Sequence, residues 1–250
     1  MRRRALALLL AAACAGFVST ARAGTLTPAL IPSIVLERYA ASLAALKHPK
    51  ALSFDYSVEQ LGLHDMEQTH HVYRSGLHER DETLVVDGFP LPRPAVRIIA
   101  SRSDRYDIGA VAPTAAGYSF KYSGVVVDGD DVGYVFSTEP RAARSFAVSE
   151  VVIDGRTFLP NVVRFKIVGD GAHGSGELLF GQADAFWLVR QAQVNAHLTS
   201  GALTHERITW SNYQFPSALP PSTFDVPRPT TVLEPDDLAT PAAAPDAGAP

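Results

Sequence analysis

The sequence predicts a mainly β protein with some α: a curved antiparallel sheet of about eleven strands, an incomplete barrel, led by one N-terminal helix. Three observations predict it. Helical periodicity is confined to one stretch near the start, apolar/polar alternation with turn punctuation recurs from Leu52 to Tyr213, and no alternating βαβ pattern of a parallel nucleotide-binding sheet occurs.

The helix is the run Ser33–Lys47, in which Ile34, Leu36, Tyr39, Leu43 and Leu46 fall near helical spacing. Ser33 is placed to cap the first turn and Lys47 suits the last. The strands follow. Leu52–Leu61 alternates Phe54, Tyr56 and Val58 against Ser53, Asp55 and Ser57. Gln68–Arg74 and Leu77–Val86 flank Ser75-Gly76, and Tyr118–Val127 and Gly133–Ser137 flank Asp128-Gly129, both hairpin signals. Val162–Val168 is expected to reach Glu177–Phe180 through a Gly-rich loop, Gly169 to Gly176, and Ala185–Leu198 returns as Leu203–Tyr213. Weaker strand patterns lie at Val96–Ser101, Arg105–Ile108 and Ser149–Ile153. Ala185–Leu198 would run roughly 46 Å at about 3.3 Å per residue, a length that forces a sheet to twist and curl. On it Phe186, Leu188, Ala192, Val194, Ala196 and Leu198 read as one apolar face, interrupted by Arg190, with Trp187, Gln191, Gln193, Asn195 and His197 making the opposite face mostly polar.

The ends of the chain differ from this body. Arg2, Arg3 and Arg4, an apolar run Ala5–Val18 and the small-residue site Ala21-Arg22-Ala23 have the order of a cleaved secretory signal, so residues 1–23 are read as a signal peptide and 24–225 as the domain. Cys14, the single cysteine, lacks the Leu usual three residues before a lipidated Cys and is read as part of the signal, with lipidation the alternative. Residues 226–250 hold six Pro and six Ala and no aromatic, a composition that reads as a disordered tail.

Charge excludes one class of function. The chain has 22 Lys plus Arg against 26 Asp plus Glu, and the signal removes four bases and no acid, leaving 18 against 26 with no basic stripe. Binding nucleic-acid phosphates requires clustered cations, so no nucleic-acid partner is expected.

Catalytic motifs are sparse. His64, His70, His71 and His78 lie close in sequence, but His70 and His71 are adjacent on a strand and point to opposite faces, which argues against one metal site. Asp128-Gly129-Asp130-Asp131 sits where a hairpin must turn and lacks the Glu of a calcium loop. Glu79, Asp81 and Glu82 beside Arg80 read as a solvated strand edge rather than an acid–base pair. His173-Gly174-Ser175-Gly176 lacks nucleophile-elbow spacing, and no dinucleotide or phosphate loop is present. No enzyme, metal site or cofactor is expected. The candidate ligand-binding residues are the apolar Phe54, Tyr56, Val163, Phe165, Ile167, Phe186 and Leu188, whose alternative role is ordinary core.

Phe54, Asp55 and Tyr56 after the helix, the stretches His71–Leu84, Asp154–Pro160 and Gly176–Phe180, Trp187, and the closing Trp210–Pro220 with Phe224 resemble the LolA-like superfamily of outer-membrane lipoprotein carriers. The resemblance implies a periplasmic protein whose incomplete barrel holds lipid or lipoprotein acyl chains in its concave face, partly covered by helices. Here one helix is evident, so the helical lid of the carriers is not foreseen. The expected function is non-enzymatic lipid binding; the alternative is a cell-envelope interaction or sensor module with a closed core and a protein partner.

Overall fold

The computed structural model describes residues 30–62, 65–100, 107–169, 172–198 and 201–225. The predicted signal, Cys14, the Pro/Ala-rich tail and His64 lie outside them. The unit that begins at Ile31 opens with α1 (Pro32–Ala44). Pro32 occupies the first turn, where its fixed φ is already helical and its missing N–H is not needed. The helix therefore starts one residue before Ser33, which is inside it rather than capping it. It ends at Ala44, short of Lys47, as the chain approaches Pro49, which biases the residue before it toward extended backbone.

Strands β1 (Ala51–Leu61), β2 (Met66–Ser75), β3 (His78–Val86) and β4 (Phe89–Ile99) come next; then β5 (Tyr118–Asp128), β6 (Asp131–Pro140), β7 (Phe146–Asp154), β8 (Pro160–Val168), β9 (Ala172–Ala183), β10 (Phe186–Leu198) and β11 (Leu203–Gln214). They form one antiparallel sheet of eleven strands in the order β4-β3-β2-β1-β11-β10-β9-β8-β7-β6-β5. Each strand pairs with its sequence neighbours except that β4 does not pair with β5, and in addition the first strand pairs with the last, with Tyr56 opposite Trp210. The missing β4–β5 pair is the open seam of the incomplete barrel, and the connection across it carries the one-turn α2 (Ile108–Val111).

Three sequence expectations are corrected by this topology. The pattern at Val96–Ser101 is the end of a longer β4, which begins after Asp87-Gly88, both at positive φ as a tight hairpin turn requires. Pro90, Pro92 and Pro94 conceal it, because proline is tolerated in a strand only at an edge or bulge, and β4 is an edge. The strand expected at Arg105–Ile108 is absent where it is described: Asp107 accepts a hydrogen bond from the Gly109 N–H and caps α2 at Ile108. Gly174 and Gly176 are not loop but β9.

A single row of cross-strand neighbours runs through the whole sheet: Phe89, Val86, Gln68, Val58, Ile208, Ala192, Leu178, Val163, Val151, Phe136 and Tyr122. Its middle members, from Ile208 to Phe136, are buried, whereas Phe89 is 76% exposed. The core therefore sits on one face of β6–β11 and thins toward the edges. The other face is largely polar, with Arg164 bridging Glu150 and Glu177 across β7, β8 and β9.

Candidate functional site

Two constructions occupy the face of the sheet that carries the core and α1. The first is apolar. Val35 and Tyr39 of α1 are buried, and the Tyr39 ring meets Phe120 of β5 edge-on at 6.2 Å. Its hydroxyl donates to the Pro113 carbonyl at 2.8 Å, tying α1 to the β4–β5 connection, and burial pushes its pKa well above the phenol range, so it remains a donor. Ser42 donates to the Thr157 carbonyl at 2.8 Å, and the Arg38 guanidinium lies 5.0 Å over the Phe158 ring. Ile108, Val111, Ala112 and Pro113 of the connection are also buried, so this segment covers the sheet alongside α1. Between the two covers lies a cavity of about 370 Å³, lined on one side by Leu36, Tyr39 and Leu43 and on the other by Ala112, Ala115 and Phe120. Its volume falls within the range typical of small-ligand sites, and its walls carry few polar atoms.

The second construction is polar and lies on the β1–β4 wing. Asp81, 3% exposed, accepts from His70 Nδ1 at 2.8 Å, from the Tyr56 hydroxyl at 2.9 Å and from Arg97 at 2.7 Å. His70 also contacts Gln68 through Nε2 at 3.1 Å and stacks on Tyr56 with ring centroids 4.3 Å apart. Burial alone would raise the Asp81 pKa, but the hydrogen bond and charge of His70, followed by the bonds from Tyr56 and Arg97, outweigh it and hold the carboxyl below its usual value. Burial, then the Asp81 charge, push the Tyr56 phenol up. Both ring nitrogens of His70 face polar partners: Nδ1 meets Asp81 and, at 3.3 Å, the Thr83 hydroxyl, and Nε2 meets Gln68. The cluster is a polar clamp across four strands.

The sequence-predicted residues separate accordingly. Phe54, Val163 and Phe165 are buried in the core, and Ile167 is half-buried beside them on β8. Tyr56 belongs to the clamp. A register shift between Val189 and Gln191 inserts Arg190 into β10 and reverses the alternation, so Val189 pairs with buried Phe180 and shares the face of Ala192, while Phe186 and Leu188 point to the other side. The single apolar face read along Ala185–Leu198 is thus two half-faces. Phe186 lines a mixed cavity of about 320 Å³ with Ser42, Leu46 and Trp187.

The cavity lining contributed by the β4–β5 connection was missed because it lies outside any periodic segment. The solvated-edge reading of Asp81 fails because β3 is interior, between β2 and β4, a placement that pairing register decides and residue type does not show. As its spacing required, His70 and His71 point apart: His71 binds Asp55 at 2.5 Å on the other face.

No protein-family model and no curated protein matches the sequence. Solved structures do. A LolA superfamily protein from Nitrosomonas europaea aligns over 79% of this chain and 99% of its own, with 14% identity and a TM-score of 0.40. A domain described as an outer membrane lipoprotein-sorting protein from Vibrio parahaemolyticus covers 76% of this chain and 95% of its own, at 12% identity and a TM-score of 0.45. A DUF1329 family protein from Desulfovibrio piger covers 77% and 96%, at 11% identity and a TM-score of 0.42. Each of these alignments extends over more than three quarters of this chain, at identities of 11–14% and with TM-scores of 0.40–0.45.

Proposed function

We propose that this protein is a non-enzymatic periplasmic binding protein that holds an acyl chain of a lipid or lipoprotein against the concave side of its sheet. The observation that carries the reading is the apolar cavity between α1 and the β4–β5 connection, lined by Leu36, Tyr39, Leu43, Ala112 and Phe120. An acyl chain there would gain about 0.8 kcal/mol for each methylene removed from water, offset in part by the cost of association. The residues named from the sequence, Phe54, Val163, Phe165 and Ile167, serve as the packed apolar layer of that face, while Phe186 and Leu188 lie beyond the register shift at Arg190 and Phe186 lines the second cavity, beside α1. The amino-terminal signal read from the sequence accounts for the compartment.

The test is titration of the delipidated protein with a dansyl-labelled undecanoic acid. Saturable one-to-one uptake is expected, reduced at least tenfold in affinity by Ala40→Trp, which places an indole in the cavity from an exposed helix position. Absence of saturable uptake by the wild type, or uptake unaffected by Ala40→Trp, would reject this site.

A further inference from the structure

Among the described residues two strands, β4 and β5, have one open side, and the sequence treats them oppositely. Pro90, Pro92 and Pro94 deprive β4 of N–H donors, and a register shift opposite Thr83 and Val85 distorts it further. These are the standard means by which a protein stops another strand from adding to an edge. β5 has no proline, and from Lys121 to Asp128 every residue except Gly124 is exposed. Tyr122, Val125, Val126 and Val127 lie in that stretch, with Val127 59% exposed, and aromatic and β-branched residues are those that favour strand pairing.

The backbone of β5 is oriented to pair. Asp128 and Asp131 flank the two-residue turn Gly129-Asp130 and form its hydrogen-bonded pair, so alternation turns the polar groups of Val126 toward β6 and those of Val125 and Val127 to the open side. The extra residue at Ser123, between the pairs Tyr122–Phe136 and Gly124–Val135, puts Tyr122 and Val125 on one face and Lys121, Val126 and Asp128 on the other. The exposed stretch is also charged in a particular order: a cation at its start, Lys121, and an anion at its end, Asp128. A strand of that polarity is complementary to itself when antiparallel.

We propose that the open edge of β5 is a homodimer interface, pairing antiparallel with β5 of a second copy about a two-fold axis between Ser123 and Gly124. In this register Tyr122 faces Val125 of the second copy and Phe120 faces its Val127, all on the concave side. Lys121 faces the second copy's Val126 on the convex side, with its Asp128 at the diagonal position that a long side chain reaches. The interface is isologous, so each contact occurs twice. One strand edge is a small interface, and the equilibrium moves with protein concentration.

Sedimentation velocity over a wide concentration range tests this. The expected result is a monomer–dimer equilibrium that Val125→Pro, which copies the device on β4, shifts to monomer. Lys121→Asp sets two anions side by side and weakens the dimer roughly tenfold or more at low salt, while Lys121→Asp combined with Asp128→Lys restores it. Both charged residues are exposed, so the charge variants test the interface even where Val125→Pro disturbs folding. A monomer at every concentration, or a dimer indifferent to the charge reversal, would overturn the proposal.

Discussion

Asp81 is the residue on which one wing of the sheet depends. Its carboxylate accepts from side chains on β1, β2 and β4 at once, and none of the buried polar side-chain atoms described is left without a partner. Asp81→Asn replaces an acceptor-only carboxylate, buried and holding three hydrogen bonds, with an amide that turns a donor toward donors, so it should cost about 2 kcal/mol in urea unfolding at neutral pH. The sign of the pH dependence follows from the lowered carboxyl pKa. The stabilisation is fully present above the unfolded-state value of about 3.9 and is lost as pH falls through the lower folded-state value. The gap between wild type and Asp81→Asn should therefore close on acidification below pH ~4, and a gap that persisted there would refute the assignment.

At the scale of elements, β9 and β10 approach each other closely at two glycines. An ideal Cβ at Gly176 would lie 2.3 Å from the Gln193 carbonyl oxygen and 2.6 Å from the Phe165 ring. At Gly174 the Asn195 carbonyl oxygen would be only 2.1 Å away. The two glycines permit a close approach of strands that side chains would prevent, and they do so within β9 rather than in a loop. Gly176→Val should cost about 2 kcal/mol or more by overpacking against backbone that cannot move aside, measured as a lowered urea midpoint. A glycine-rich stretch and a flexible loop look alike in sequence, because only the neighbouring strand tells which is present. In β10 the register shift falls at Arg190, the one residue that interrupts the apolar face in the sequence, but only the pairing with β9 shows that the alternation reverses there.

For the whole molecule the decisive contact is the pairing of β1 with β11, which joins the β1–β4 wing to the β5–β11 body across most of the chain's length. Ile208, buried on β11 between Ala192 and Val58, sits on that join. Ile208→Ala should cost about 3 kcal/mol, and because the join is shared, near- and far-ultraviolet circular dichroism should still report one coincident transition. Separate transitions would mean that the wing folds independently of the body. Such non-local pairing also predicts slow folding for a protein of this size.

The sequence by itself determined the strand-rich class, the leading helix, the turns at Gly76 and Gly129, and the opposite facing of His70 and His71, since all of these follow from local periodicity and turn chemistry. Only the tertiary structure decided that the sheet closes first strand to last, that Asp81 is buried, that Phe186 and Leu188 leave the face of Ala192, and that the apolar cavity is walled by α1 and the β4–β5 connection. Those facts depend on register and on contacts between residues far apart in the chain. A one-residue insertion moves every later side chain to the other face, and composition carries no trace of it.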